Sequence, residues 1–234
     1  MFAVYRKEMR SYLTSPVGWV YLTVFYAISG YYFFATSLVG NLATLSYVFS
    51  SLFTISIFMV PMLTMRLLSE ERRHRTEQAL FTAPVSFTSI TLGKFLACLT
   101  MYALGLAVTG AFLGVLAAYG NPDLPVFLCN LIGMMLLGAA LCAIGLFLSA
   151  QTENQVIAVV SGLGAGLFLL LIDSFTSISD NATLNAVLEG VSFYARYTGF
   201  ASGLLNLADV FFFLSVTGLF LFLTVRTLNR RRLA

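Results

Sequence analysis

Long runs of hydrophobic residues recur along the chain and are separated by short polar stretches. A helix needs about 20 residues to cross a hydrocarbon core of roughly 30 Å. Four runs, at 17–38, 45–65, 95–119 and 126–150, are that long and carry no charge, and two shorter runs end in polar residues that can reach the interface. The pattern therefore predicts six membrane-spanning helices, at 17–38, 45–68, 89–119, 126–150, 155–173 and 209–227.

Composition excludes a soluble protein. Of the 234 residues, 59% are hydrophobic and 10% are charged, and the mean hydropathy is +0.90. Soluble domains are about half apolar and about a quarter charged. We expect a single transmembrane domain over residues 1–234. The cysteines, Cys98, Cys129 and Cys142, lie in apolar runs and form no CxxC pair, so we expect neither a zinc site nor a disulfide framework.

The first 14 residues alternate basic and apolar positions. With 3.6 residues per turn, Arg6, Lys7 and Arg10 share one side of a helix, and the apolar residues share the other. This pattern predicts an amphipathic helix at the membrane interface. The apolar run that follows is too long for a signal-peptide core, so we expect it to be retained as the first span.

The basic residues are distributed unevenly between the two sides of the predicted bundle. With six spans, every Lys and Arg except Arg196 falls on the side that carries both chain termini. Basic residues concentrate on the cytoplasmic side of membrane proteins. We therefore expect a multi-pass protein of a bacterial cytoplasmic (inner) membrane with both termini in the cytoplasm.

The segment before the sixth span is too polar to cross the membrane and too apolar for a free loop. Its aromatic residues Tyr194, Tyr197 and Phe200 recur at the spacing of one helix face. We expect short outer helices at 180–205 that lie at the membrane surface or dip into it.

A dense charge cluster separates the second and third spans. Glu70 and Glu71 follow Ser69, and carboxylates are favourable in the first turn of a helix. Pro84 ends such a helix, because the residue before a proline avoids helical angles. The pattern predicts a cytoplasmic helix at 70–83 that a soluble partner can bind. The alternative is a solvated charge run that only determines orientation.

The order of elements in this segment is an acidic-basic cluster, Thr-x-Gln-x-Leu, Thr-x-Pro-Val and Leu-Gly-Lys. The residues concerned are Glu70, Glu71, Arg72, Arg73, Thr76, Gln78, Leu80, Thr82, Pro84, Val85, Leu92, Gly93 and Lys94. This pattern resembles the same region of ABC-2 type permeases, particularly the gliding-motility type. The resemblance extends to the start of the chain, with Tyr5, Lys7 and Glu8, and to its ending LFLFLTVRTLNRRR.

The resemblance implies an all-α integral membrane fold of the ABC-2, type V exporter kind, with an elbow helix at the N-terminus and a coupling helix between spans two and three. It implies the permease subunit of an ATP-binding cassette exporter, paired with a second copy or a homologous permease. A separate ATPase subunit, expected as a dimer, would bind ATP and magnesium. The expected ATPase-coupling residues are Glu70, Glu71, Arg72, Arg73, Thr76, Glu77, Leu80 and Phe81. The implied assembly leaves room for an accessory extracytoplasmic protein, and we expect no nucleic-acid partner.

The charged loop also contains part of an enzyme signature. Glu70, Glu71 and Arg75 form EExxxR, the first motif of CAAX-type intramembrane proteases, which also need histidines on neighbouring helices. The one histidine of the chain, His74, lies within the motif itself. The sequence GxxxxGK[ST] of a phosphate-binding loop does not occur. We therefore expect no ATPase site and no enzyme. The remaining alternative is a membrane anchor or mechanotransmitter that couples an ATPase to a partner protein without moving cargo.

Two GxxxG pairs and one proline mark the spans. Gly110 with Gly114, and Gly162 with Gly166, allow close helix approach, and we expect contacts within one subunit more than between subunits. Pro61 is expected to kink the second span.

Overall fold

The computed structural model describes residues 1–40, 44–73, 86–119, 123–176 and 190–233, and within these residues every regular element is a helix. The helices are α1 (Phe2–Thr14), α2 (Pro16–Phe33, continued by a π-helical turn at Phe34–Leu38), α3 (Ser46–Thr64), α4 (Ser69–Arg73), α5 (Phe87–Leu106), α6 (Val108–Tyr119), α7 (Leu124–Gln151), α8 (Gln155–Thr176), α9 (Phe193–Ala201) and α10 (Leu207–Leu233).

Six helical segments are long and apolar enough to cross a membrane: α2 with its π-helical turn, α3 extended through α4, α5 with α6, α7, α8 and α10. The predicted all-helical fold with six spans is confirmed. The third span begins at Phe87, two residues before the predicted start. The hydroxyl of Ser86 caps it by accepting a bond from the Ser89 backbone N–H at 3.3 Å.

The fourth span, α7, lies at the centre of the bundle and packs against α3, α5, α8, α9 and α10. Three glycines let neighbours approach it closely. A side chain at Gly133, Gly138 or Gly145 would collide with Phe200, Tyr102 or Thr64, respectively. In lipid, helices associate through such close packing because apolar surface alone gives little preference for protein over lipid.

Helix α3 continues through Pro61 and ends at Thr64, after which residues 65–68 form a turn that leads into α4. The predicted packing of one glycine pair within the subunit is confirmed, since side chains at Gly162 and Gly166 would meet Pro61 and Ile57 of α3. At the other pair, Gly110 and Gly114, an added methyl group would have no atom of the described residues within 4 Å.

The outer helix α9 packs its aromatic face against the bundle. Tyr197 and Phe200 are buried, and only Tyr194 of the aromatic set is exposed. Tyr197 donates a 3.0 Å hydrogen bond to Asn130 on α7 and packs on Phe53 of α3. The aromatic face therefore packs on protein rather than lipid. Residues 180–189 of the predicted outer segment lie outside the described residues.

Candidate functional site

Both chain termini lie on one side of the bundle because the number of spans is even, and we call this the terminal side. Here α1 packs on the first turns of α5 and the end of α3. The Tyr12 hydroxyl donates a buried 2.6 Å hydrogen bond to the Leu63 carbonyl. Burial raises the pKa of Tyr12 well above its ordinary range, so the phenol stays neutral and remains a donor. The predicted N-terminal helix is present, with Tyr12 buried and Val4, Tyr5 and Met9 packed against the core.

The basic side of α1 is exposed, as the alternation of basic and apolar residues predicts. Arg6, Lys7 and Arg10 are exposed, and Val4 packs closely on α5. A side chain at Gly93 would press against Val4, so glycine at this position allows α1 to lie on α5. This contact brings the charged residues of α1 beside those of α5.

Lys94 is the central residue of the terminal side. It lies seven residues into α5 and is fully buried. An ammonium group has three donors, and each reaches a different segment. Lys94 Nζ lies 2.8 Å from Glu8 Oε1 of α1, 3.0 Å from Glu71 Oε2 of α4 and 2.5 Å from the Leu67 carbonyl in the turn after α3.

Glu71 lies between two cations. Its second oxygen, Oε1, accepts from Lys7 Nζ at 2.9 Å, and its side chain is only 12% exposed. Burial, the largest single effect, lowers the pKa of Lys7, but the hydrogen bond and charge of Glu71 and the charges of Glu8 and Glu70 outweigh it and raise that pKa above 10.5. Lys7 is therefore protonated at physiological pH.

Arg66, in the turn between α3 and α4, adds a third cation to this group of charged residues. Its guanidinium donates to Glu70 at 3.0 Å and to the Ser15 hydroxyl at 2.8 Å. We define the charge cluster as Lys7, Glu8, Arg66, Glu70, Glu71 and Lys94, which balances three cations against three carboxylates. These side chains line a cavity of about 230 Å³ that is open to the terminal side.

A second contact holds α4 from the opposite direction. Arg72 lies 3.0 Å from Glu153 and donates to the Gln151 carbonyl at 3.0 Å, where α7 ends and the chain turns into α8. The neighbouring Arg73 is exposed. The short helix α4 is therefore joined on one side to α1 and α5 and on the other to α7 and α8.

The turn before α4 is anchored to α7 by Ser149, which is fully buried. The Ser149 hydroxyl accepts from the backbone N–H groups of Leu68 and Ser69, both at 3.2 Å. Backbone donors that would be unpaired at the end of a span are thereby satisfied.

On the far side of the bundle, Arg196 of α9 pairs with Asp209 of α10 at 2.9 Å. Arg196 also donates to the Gly190 carbonyl and lies 5.2 Å from the centre of the Phe212 ring. This ion pair joins the outer helix to the sixth span, so the single basic residue on that side has a defined structural partner.

The structure brings together four of the predicted coupling residues, Glu70, Glu71, Arg72 and Arg73, on α4. Thr76, Glu77, Leu80 and Phe81, together with His74 and Arg75 of the protease-like motif, lie outside the described residues, as does most of the predicted helix at 70–83. Sequence reasoning missed the roles of Glu8, Lys94, Ser149 and Glu153. A lysine placed in the helical frame of a span was the one available signal.

Comparison with known proteins agrees with this architecture. Residues 35–226 match the family described as ABC-2 family transporter protein. No curated protein matches the sequence at a significant level. The match spans most of the chain and includes most of the six spans. The chain therefore belongs to the ABC-2 family of transporter proteins, as the membrane-spanning permease subunit of an ABC transporter.

Proposed function

We propose that this permease belongs to an exporter that moves a cargo across a bacterial cytoplasmic membrane with ATP hydrolysed by a separate subunit. Membership of the ABC-2 family implies pairing with an ABC ATPase subunit. The observation that supports the proposal best is the position of α4, which is joined through Glu71 to α1 and α5 and through Arg72 to the junction of α7 and α8.

Such a position suits a segment that transmits force. A push on the chain that follows Arg73 would act on α4, and the ion pairs of Glu71 and Arg72 would pass the displacement to three other spans. Buried or partly buried ion pairs resist separation because an unpaired charge in low dielectric is costly. The sequence from 74 to 85 would then be the surface that the ATPase binds, with Thr76, Glu77, Leu80 and Phe81 among its contacts.

A functional unit of two permease copies is supported by the packing of the single chain. The cavity among α3, α7 and α8 measures about 10 Å³, and the one between α3 and α7 beside Asn130 about 20 Å³. A cavity of 10–15 Å³ holds about one water molecule. Neither of these two sites can hold a cargo, and we propose that the path forms between two copies of the subunit.

Orientation can be tested separately. We propose that the terminal side is cytoplasmic, since it carries the basic residues of α1, α4 and the end of α10. In whole cells, an impermeant maleimide is expected to label cysteine at Ser202 but not at Arg73, both of which are exposed positions. The reverse pattern would refute the orientation.

Coupling is tested with the ATPase that copurifies with the tagged chain from its native membrane. We expect Phe81→Ala, or Arg72→Glu combined with Arg73→Glu, to insert normally and to lose permease-stimulated ATP hydrolysis or the bound ATPase. Arg226→Glu combined with Arg230→Glu is the matched control, because both arginines are exposed on α10 and the charge change is the same.

Substitution of Arg73 tests ATPase binding more directly than substitution of Arg72, since Arg72 also has partners within the chain. An exposed ion pair contributes roughly 0–1 kcal/mol, so Arg73→Glu alone is expected to weaken ATPase binding only about fivefold or less. If Phe81→Ala and the Arg72/Arg73 double variant both assemble and hydrolyse ATP like the parent, the proposal of coupling through this loop is wrong.

A further inference from the structure

The two carboxylates on Lys94 are placed differently. Glu8 lies on α1, which is fixed to the bundle through the Tyr12–Leu63 hydrogen bond. Glu71 lies on α4, which follows the turn at 65–68 and is described over Ser69–Arg73. Glu71 also contacts the largely exposed Lys7, so it can turn away from Lys94 and keep a cationic partner.

Lys94 itself has no alternative in solvent, since its side chain is 1% exposed. An ammonium buried at this depth needs a counter-ion, because burying an isolated charge costs far more than an exposed ion pair gains. If Glu71 were its sole carboxylate, any movement of α4 would leave Lys94 unpaired. Glu8 remains beside Lys94 when α4 moves, so the ammonium keeps a counter-ion.

We propose that Glu8 is the fixed counter-ion of Lys94 and Glu71 the exchangeable one, so that α4 has two arrangements, engaged on Lys94 and Lys7 together or released onto Lys7. Glu8 and Lys94 are then positioning residues that set the balance between the two. The cavity of about 230 Å³ beside them supplies the space and water for the exchange. The inference rests on the proposed function only in assigning this motion to the transport cycle.

The exchange predicts opposite effects for two chemically identical substitutions. Removing the charge of Glu71 by Glu71→Gln removes the ion pair between α4 and Lys94 and favours the released arrangement. Removing the charge of Glu8 by Glu8→Gln leaves Glu71 as the remaining carboxylate on Lys94, which favours the engaged arrangement. A static ion cluster would instead loosen in both variants.

The experiment measures the distance between α4 and α5 in the chain alone, in lipid nanodiscs and without ATPase. Spin labels are attached to cysteines at the exposed positions Arg73 and Thr88, in a background where the three buried cysteines are alanine. Electron paramagnetic resonance is expected to report longer or broader distances for Glu71→Gln and shorter or narrower ones for Glu8→Gln. Asp123→Asn, an exposed carboxylate on the far side, is the matched control and should change nothing.

Stability gives a second measurement that remains usable if Glu8→Gln folds poorly. We expect Glu8→Gln to lower the apparent Tm by a few °C, because the buried Lys94 ammonium then depends on Glu71 alone. Combining it with Lys94→Met should recover most of that loss, since no buried ammonium then needs a counter-ion. The double variant should also resemble Glu71→Gln in the distance measurement.

Three results would overturn the inference: distance shifts of the same sign in Glu8→Gln and Glu71→Gln, no shift in either, or no recovery of Tm by Lys94→Met. Repeating the distance measurement on the complex with ATP and vanadate tests the proposed function separately. If α4 responds to the substitutions as expected but does not move with vanadate, the proposed function fails and the counter-ion exchange stands.

Discussion

Ser149 on α7 and Met65 at the end of α3 are joined by a 3.1 Å hydrogen bond from the serine hydroxyl to the methionine carbonyl. The same hydroxyl accepts from the N–H groups of Leu68 and Ser69, so one side chain satisfies three backbone groups across the turn. The turn between the second span and α4 is therefore held by the fourth span. Any displacement of α4 begins from a fixed point on α7.

Replacing Ser149 with alanine removes all three bonds. The Leu68 and Ser69 N–H groups belong to buried residues, so we expect Ser149→Ala to destabilise the protein by about 1–3 kcal/mol. Thermal unfolding in detergent measures the loss. Ser215→Ala is the control, because the Ser215 hydroxyl is exposed and bonds to Phe212 of its own helix. Equal apparent Tm values for the two variants would contradict the anchoring role.

The two GxxxG pairs are expected to behave differently. Gly166→Ala places a methyl group against Ile57, and overpacking of this kind costs about 1–3 kcal/mol. Gly110→Ala meets no atom of the described residues within 4 Å and should leave the stability of the single chain unchanged within about 0.5 kcal/mol. Apparent Tm in detergent distinguishes them. A loss at Gly110 that disappears on dilution would instead reveal a contact between two copies.

Substitutions at Arg196 and Asp209 should have non-additive effects on stability, because the two side chains form an ion pair. Arg196→Met leaves the buried Asp209 carboxylate without this partner, and we expect a loss of about 1–3 kcal/mol, reduced because Arg196 is partly exposed. Exchanging the two residues, Arg196→Asp with Asp209→Arg, should recover part of it. A double-mutant cycle of unfolding temperatures measures the interaction, and strict additivity would show that the pair contributes nothing.

Cys98 of α5 and Cys142 of α7 provide a direct check on the packing of the third and fourth spans. Their sulfur atoms are 3.1 Å apart, and both side chains are fully buried. We expect a lipid-permeant oxidant such as copper phenanthroline to cross-link them. A protease site inserted at 120–122 makes the bond visible, because the cut chain stays joined only until it is reduced. Cys142→Ala should abolish the cross-link, and Cys129→Ala should not.

The span architecture was predictable because apolar runs of sufficient length have few alternatives in lipid. Residues 17–38 and 126–150 lie within helices that the structure assigns to the first and fourth spans. The N-terminal helix was predictable for another reason: its alternation of basic and apolar residues, with a period of 3.6, is visible within 14 residues of sequence. The short helix beginning at Ser69 follows from a serine and two acidic residues in sequence.

The charge cluster was not predictable because its contacts are distant in the sequence. Glu8 and Lys94 are separated by 86 positions, and Arg72 and Glu153 are also on different spans. The position of Lys94 inside the predicted third span marks it as unusual, but the local sequence does not identify Glu8 or Glu71 as its partners. Gly93 allows α1 to pack closely on α5. A single glycine in a sequence, however, does not show which helix packs against it.

The pairing of Glu8 with Lys94 also bears on the order in which this chain is assembled. During synthesis, Glu8 emerges from the ribosome long before Lys94, so α1 must wait at the membrane interface until the third span has been inserted. Until then, neither the lysine nor the carboxylate has its final partner. Docking of the N-terminal helix is therefore a late event, and a nascent chain stopped before the third span would leave that helix accessible to proteases and membrane chaperones.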